Sequence, residues 1–477
     1  MITFCICLVL LVTAYFTYGR YLERLAGADP ATSTPCHRLA DGVDYVRLPR
    51  WRTFLIQLLN IAGTGPIFGA ILGACFGPVA FLWITFGGIF MGAMHDYLSG
   101  MMLVRHDGLS IPEVIGRYLG GGMRQFMRIF SVLLLVLVGA VFVLSPAQLL
   151  TTLAPEISVP TWVWIILAYY FVATLLPIDR IIGRIYPIFG IALIVMALGL
   201  LGALVFGHWQ IPELTPATLK NFQLDPHRLP IVPTLFITIA CGAISGFHAT
   251  QSPLMARCVG NECECRSVFY GAMISESIIA LIWAAVAMAF FGGPAALSAT
   301  MGQAGHDPAW VVNTVSNGTL GLFGGILALL GVVAAPITSG DTAFRSARLI
   351  IADMLRIDQR SEWKRFAICI PLFVAGYAIT QLPFGIVWRY FAWTNQTLAT
   401  VVLWAVVVWL CQRRANRWVA LIPAVLMTYV CTSFVFVSDQ FFGMTDRATA
   451  YGLAFFATVA ISLTLLIKMR GDAKKRA

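Results

Sequence analysis

Between Phe54 and Ala74 the chain runs through an apolar segment long enough to cross a bilayer, yet Gly63, Gly65 and Pro66 fall in its middle. Glycine and proline there weaken or interrupt a helix. Backbone freed at membrane depth has to be buried in protein or line a watery cavity, because lipid offers it no hydrogen bonds. A close-packed crossing of small residues explains such a run by itself equally well. A second interrupted segment, Ala240-Cys-Gly-Ala-Ile-Ser-Gly-Phe-His-Ala-Thr-Gln-Ser-Pro253, tips the balance. Two broken spans in corresponding positions point to a transporter binding site.

The rest of the chain fits a bilayer. Of 477 residues, 59% are hydrophobic and 11% charged, a composition that no soluble core needs. The reading is an all-α polytopic membrane protein of about thirteen transmembrane helices, each near the ~20 residues a bilayer demands. They cover about 2–19, 54–74, 78–103, 127–150, 160–178, 185–207, 232–252, 267–292, 319–342, 365–381, 384–411, 418–437 and 448–468. Residues 1–19 have no basic residue before the apolar run, so they read as a first span and not as a cleaved signal.

Orientation follows from the basic residues. Apart from Lys220, Arg228, Arg389 and Arg447, the 32 Lys and Arg lie in alternate connections, which are thereby cytoplasmic. The N-terminus is then outside and the C-terminus inside. The net charge of +10 belongs to these scattered loops and gives no reason to invoke nucleic acid. Ser110-Ile-Pro-Glu113 has capping-box spacing, with Glu113 as the cap. Asp179 and Arg180 fall in a short turn, residues 208–231 form a Pro-rich lid or connector, and a basic helix from Ser346 to Arg356 continues the ninth span.

The broken spans are the second and seventh, opposite in direction. That is the layout of a 5+5 inverted repeat. The organisation read from it is an N-terminal span and loop (1–53), a ten-helix core (54–411) of repeats 54–207 and 232–411, and two peripheral C-terminal spans with a tail (412–477). This layout resembles the LeuT-type core of amino acid and cation symporters.

Ionisable residues inside spans are costly and therefore functional candidates. His95, Asp96, His248, Glu276 and Asp341 all fall in the cytoplasmic half of their spans and can form a proton relay or the wall of a hydrated cavity. For His95, Asp96 and Asp341 the bland alternative is hydrogen bonding to freed backbone. Glu276 has no nearby break to serve. Thr338, Ser339 and Asp341 supply the oxygens that Na⁺ favours, and a kink with back-bonded hydroxyls accounts for the first two as well. Either Na⁺ or H⁺ can therefore be the coupling ion, and no other cofactor is implied. At the breaks, Asn60, Gly63, Thr64 and Gly65 should face Ser245, Gly246 and His248 across a midplane cavity, where helix N-termini favour a carboxylate. Arg389 can steer an anion or snorkel at the interface.

No phosphate loop, dinucleotide fingerprint or nucleophile elbow occurs, so enzyme chemistry has no support. The eleven cysteines show no paired spacing, and Cys258, Cys263 and Cys265 lack a fourth ligand at a usual zinc spacing, so no metal is expected. Two other readings compete with a transporter. One is a channel with re-entrant pore elements, and the other is an intramembrane enzyme using His95, Asp96 and Glu276.

Several stretches in order are similar to the carbon starvation protein A (CstA) family. They are Asp41-Gly-Val-Asp-Tyr45, Ile61-Ala-Gly-Thr-Gly-Pro66, Gly92-Ala-Met-His-Asp96, Leu176-Pro-Ile-Asp179, Cys241-Gly-Ala-Ile-Ser-Gly-Phe-His248 and Pro336-Ile-Thr-Ser-Gly-Asp-Thr-Ala343. Ile56-Gln57 stands where many longer relatives carry a His pair. The resemblance implies a LeuT-type symporter of the bacterial inner membrane, importing pyruvate, peptides or similar carboxylate-bearing nutrients under carbon starvation.

Overall fold

The computed structural model describes residues 1–477 except 43, 174–185, 208, 358–360 and 477. Among the described residues the regular structure is all helix. Ten helices among the described residues are long and apolar enough to cross a membrane, and an eleventh span is gained if the bent pair Arg50–Ile61 and Gly65–Ala74 counts as one. About thirteen were expected, and the described residues account for ten or eleven of them. Val159–Ala173 has only 15 residues, and the remainder of that expected span lies outside the described residues. The segment expected at 232–252 is split into 231–238 and Gly246–Ala256, each too short alone. The Asp179-Arg180 turn and the Leu176-Pro-Ile-Asp179 stretch also lie outside the described residues.

The helices sort into core and periphery by how much of each is covered. Glu262–Phe290 and Phe384–Gln412 each have 83% of their apolar window buried, whereas Arg447–Lys468 has 22%. A helix that is apolar all round and only one-fifth covered makes sense facing lipid. The first broken helix packs against Glu262–Phe290, and Gly121–Leu153 packs along the helix that runs to Leu355. The ninth span differs at its start. Helix Pro308–Ala328 precedes it, kinked at Gly321 with φ of 59°, which glycine alone adopts freely. Its extension through the Ser346 region to Leu355 is as expected.

Polar contacts fasten the two ends of the bundle. At one end, rich in arginine, Arg105 makes a two-pronged pair with buried Glu262 at 2.8–2.9 Å and donates to the Ala26 and Gly27 carbonyls. Arg413 also donates to the Ala26 carbonyl. At the other end the Glu213 carboxylate accepts the Ile2 and Thr3 N–H groups at 2.7 and 2.8 Å, and Arg447 donates to the His227 carbonyl. The connector before residue 231 is thus tied down and not loose. Helix Ile111–Leu119 forms as expected, but Glu113 does not cap it. Its Oε1 accepts from two nitrogens of Arg128 instead, at 2.6–2.7 Å, a charge-assisted contact stronger than one to a backbone N–H.

Candidate functional site where the two helix breaks meet

The first break spans Ala62–Thr64, and the two half-helices meet at 49°. The second spans Ile239–Ser245 and turns on Gly242, whose φ is +92°. Two carbonyls at the breaks find donors from neighbouring helices. Trp83 Nε1 donates to the Ile239 carbonyl at 3.2 Å, and Ser339 Oγ donates to the Leu59 carbonyl at 2.9 Å. Asn395, from helix Phe384–Gln412, accepts the Phe247 N–H at 2.6 Å and donates to Ser245 Oγ at 3.0 Å. It thereby caps the N-terminus of Gly246–Ala256, as a side chain must when water cannot.

The breaks touch. A Cβ added to Gly65 would lie 2.5 Å from Cys241 Cβ and Sγ, so only glycine permits this approach. Gly65 was expected to face Ser245, Gly246 and His248 across a midplane cavity, and it packs directly on Cys241 instead. Gly63 abuts Phe142, and Gly246 abuts the backbone of Asn395 and Ala399. Beside the first break, the side chains of Asn60 and Thr64 are buried with no hydrogen-bond partner, and so is Gln57 Oε1. Gln57 Nε2 reaches Ser252 Oγ at 3.4 Å.

Next to the breaks lies a row of fully buried ionisable side chains drawn from three helices. His95 Nδ1 is 2.8 Å from Asp96 Oδ1, and His248 Nδ1 is 2.7 Å from Asp96 Oδ2. On its far side His248 Nε2 is 3.2 Å from Glu276 Oε2, close enough for an ion pair but not aligned as a hydrogen bond. Local winding puts them there. Residues Trp83–Gly92 form a π-helix, and Gly92 presses so close that a Cβ would sit 2.2 Å from the Ala243 carbonyl. His95 and Asp96 follow directly and so reach the second break. Ser275 and Ser277 bond back to their own helix and leave Glu276 without local support.

The structure thus joins His95, Asp96, His248 and Glu276, and separates Asp341 from them. Asp341 pairs with Arg345 at 3.5 Å, and Arg345 also donates to the Ala173 carbonyl. Thr338 and Ser339 hydroxyls both bond the Ala335 carbonyl, so the oxygens gathered beside the first break are theirs and that of Leu59. Sequence reading missed Cys241, Gln57 and Trp83 as parts of this site. Nothing in the spacing of Cys241 reveals that Cys241, His248 and Glu276 bring ligand atoms within 4.8 Å of one another.

Two cavities flank the breaks along the broken helices. One of about 290 Å³ adjoins Leu72, Thr238, Trp388 and Arg389. The other, about 200 Å³ at the arginine-rich end, adjoins Thr250, Pro253, Arg257 and Asp353.

Comparison with known proteins fits this geometry. The chain is 44% identical over 346 residues to an "uncharacterized membrane protein" of Haemophilus influenzae, covering 62% of this chain and 93% of that one. It is 25% identical to the peptide transporter CstA of Escherichia coli, covering 90% of this chain and 79% of the relative. It is 28% identical over 345 residues to the Escherichia coli pyruvate/proton symporter BtsT, covering 57% and 46%. In fold it is like the Eremococcus coleocola manganese transporter, with a TM-score of 0.58 at 13% identity over 92% of this chain and 99% of that one. Residues 1–159 and 146–327 match the family model for carbon starvation protein CstA, a match that ends before Pro336, and on this evidence the chain is a multi-pass membrane protein belonging to the CstA family.

Proposed function

We propose that this chain is a secondary active transporter that imports a small carboxylate-bearing nutrient, such as pyruvate or a peptide, together with a coupled cation. The observation that carries the reading is the contact of the two helix breaks beside the buried row His95–Asp96–His248–Glu276. Asn60, Thr64 and Gln57 hold polar atoms there without a hydrogen-bond partner among the described residues, as expected of groups that meet substrate or water. The half-helix N-termini at the two breaks favour the ligand's carboxylate. The coupling ion is H⁺ or Na⁺. An imidazole between two carboxylates can accept a proton on one nitrogen and release one from the other, which suits His248. The hydroxyls of Thr338 and Ser339 beside the Leu59 carbonyl suit Na⁺, with Asp341 as a nearby charge. The names of the peptide and pyruvate relatives support the substrate class.

The same reading takes 54–207 and 232–411 as the two halves of a LeuT-type 5+5 inverted repeat, with 1–53 and 412–477 added outside it. It places the protein in the bacterial inner membrane with its arginine-rich end in the cytoplasm. Alternating access then means opening the 290 Å³ cavity and the 200 Å³ cavity in turn. The test is uptake of labelled pyruvate and dipeptides into proteoliposomes under imposed proton or sodium gradients. Saturable accumulation against a gradient is expected. Flux that neither saturates nor follows an ion gradient would establish a channel instead.

A further inference from the structure

We propose that Cys241, His248 and Glu276 form a binding site for a borderline transition-metal cation of the zinc class. The site goes beyond transport and stands whether or not the chain moves a carboxylate. All three residues are completely buried, and their ligand atoms lie within 4.8 Å of one another. A zinc ion holds sulfur at ~2.3 Å and nitrogen or oxygen at ~2.0–2.2 Å, so tetrahedral ligands sit roughly 3.5 Å apart. His248 Nε2 and Glu276 Oε2, at 3.2 Å, already have that spacing. They meet without hydrogen-bond alignment, and neither Glu276 oxygen has a hydrogen-bond partner. A sulfur, an imidazole nitrogen and a carboxylate oxygen converging on one buried point are a set that a cation can hold once the thiol gives up its proton.

The surroundings match a metal site in a second respect. His248 Nδ1 is bonded to Asp96 at 2.7 Å, and Asp96 in turn to His95 at 2.8 Å. A carboxylate on the far nitrogen fixes the tautomer that turns Nε2 towards the ion, the usual outer arrangement of a ligating histidine. Ser245 Oγ and the Asn395 amide approach the Cys241 sulfur at 3.5 and 3.6 Å and hold it in place. The donor set also selects the ion. A thiolate with an imidazole favours zinc and its neighbours over Na⁺, Mg²⁺ and Ca²⁺, which want oxygen. Binding needs the thiol as thiolate, and the proton leaves to solvent as the Zn–S bond forms.

The experiment uses the full chain, purified in detergent with an affinity tag free of histidine and stripped of metal. Zn²⁺ is titrated against a chromophoric chelator, and Co²⁺ is added separately to read the thiolate-to-metal charge-transfer band. Wild type should bind zinc at one tight site and show the cobalt band. Cys241→Ser should abolish the band and weaken zinc at least tenfold, and Glu276→Gln should weaken zinc while keeping the band. Asp96→Asn should cost ~10–100-fold through the loss of the outer carboxylate. Cys263→Ser, in the polar loop, should change nothing. Zinc binding unaltered by both Cys241→Ser and Glu276→Gln would overturn the site. So would a wild-type cobalt spectrum without a thiolate band, a result that needs no variant to fold.

Discussion

Among the described residues Glu276 has no aligned hydrogen-bond partner, and His248 stands 3.2 Å from it. Its replacement therefore changes charge without breaking a network. Glu276→Gln should abolish uphill, ion-driven uptake while exchange of labelled for unlabelled substrate persists in the same vesicles. Full accumulation by this variant would shift the coupling role to the oxygens beside Thr338. Gly65 makes the opposite point, since its role is to have no side chain. A methyl there would sit 2.5 Å from Cys241, an overlap that forces the breaks apart. Gly65→Ala should cost about 1–3 kcal/mol in a reversible unfolding measurement. Adding Cys241→Gly should recover most of that loss, because the two sites are in contact and non-additive. Additive losses would mean that the breaks do not touch.

At the level of elements, each broken helix is held together by a side chain from elsewhere. Asn395 serves Ser245 and the Phe247 N–H at once. Asn395→Ala should leave that buried donor orphaned at a cost of about 1–3 kcal/mol. The measurement is the thermal midpoint in detergent, and Asn395→Asp, which keeps the acceptor, should lose less. These elements also mark how far the sequence is legible. Gly63, Gly65 and Pro66 announce the first break because their backbone chemistry is local, and Gly242 and Gly246 do the same for the second. Asp96, His248 and Glu276 stood out because charge inside an apolar span is costly wherever it points. Their assembly into one row was not legible, because it depends on how far each helix is rotated, and the π-winding of Trp83–Gly92 shifts that rotation without a sequence signature. Asp341 was grouped with them on depth alone, and Arg345, one turn away, claimed it. Glu113 was misread for a similar reason, since its partner Arg128 lies in the next helix.

For the whole molecule, a fully buried carboxylate sits among the contacts that tie the arginine-rich end. Glu262 is fully buried and binds Arg105, which spans to the Ala26 and Gly27 carbonyls. Removing one partner of such a pair costs about 3 kcal/mol or more, because the other charge is left uncompensated. Glu262→Gln should therefore loosen this end and speed the reaction of buried Cys265 with a water-soluble thiol reagent added from that side. Unchanged labelling would show that the closure is carried by the apolar packing beneath. Helix Ile2–Ala26 follows from the same contacts. Its start is fastened to Glu213 at one face of the membrane and its finish to Arg105 and Arg413 at the other. A rod pinned at two points cannot travel with either anchor alone. Under the alternating access proposed above, one mouth widens while the other stays shut, so the rod would swing and the tilt of its poorly covered flank would follow which way the protein is open.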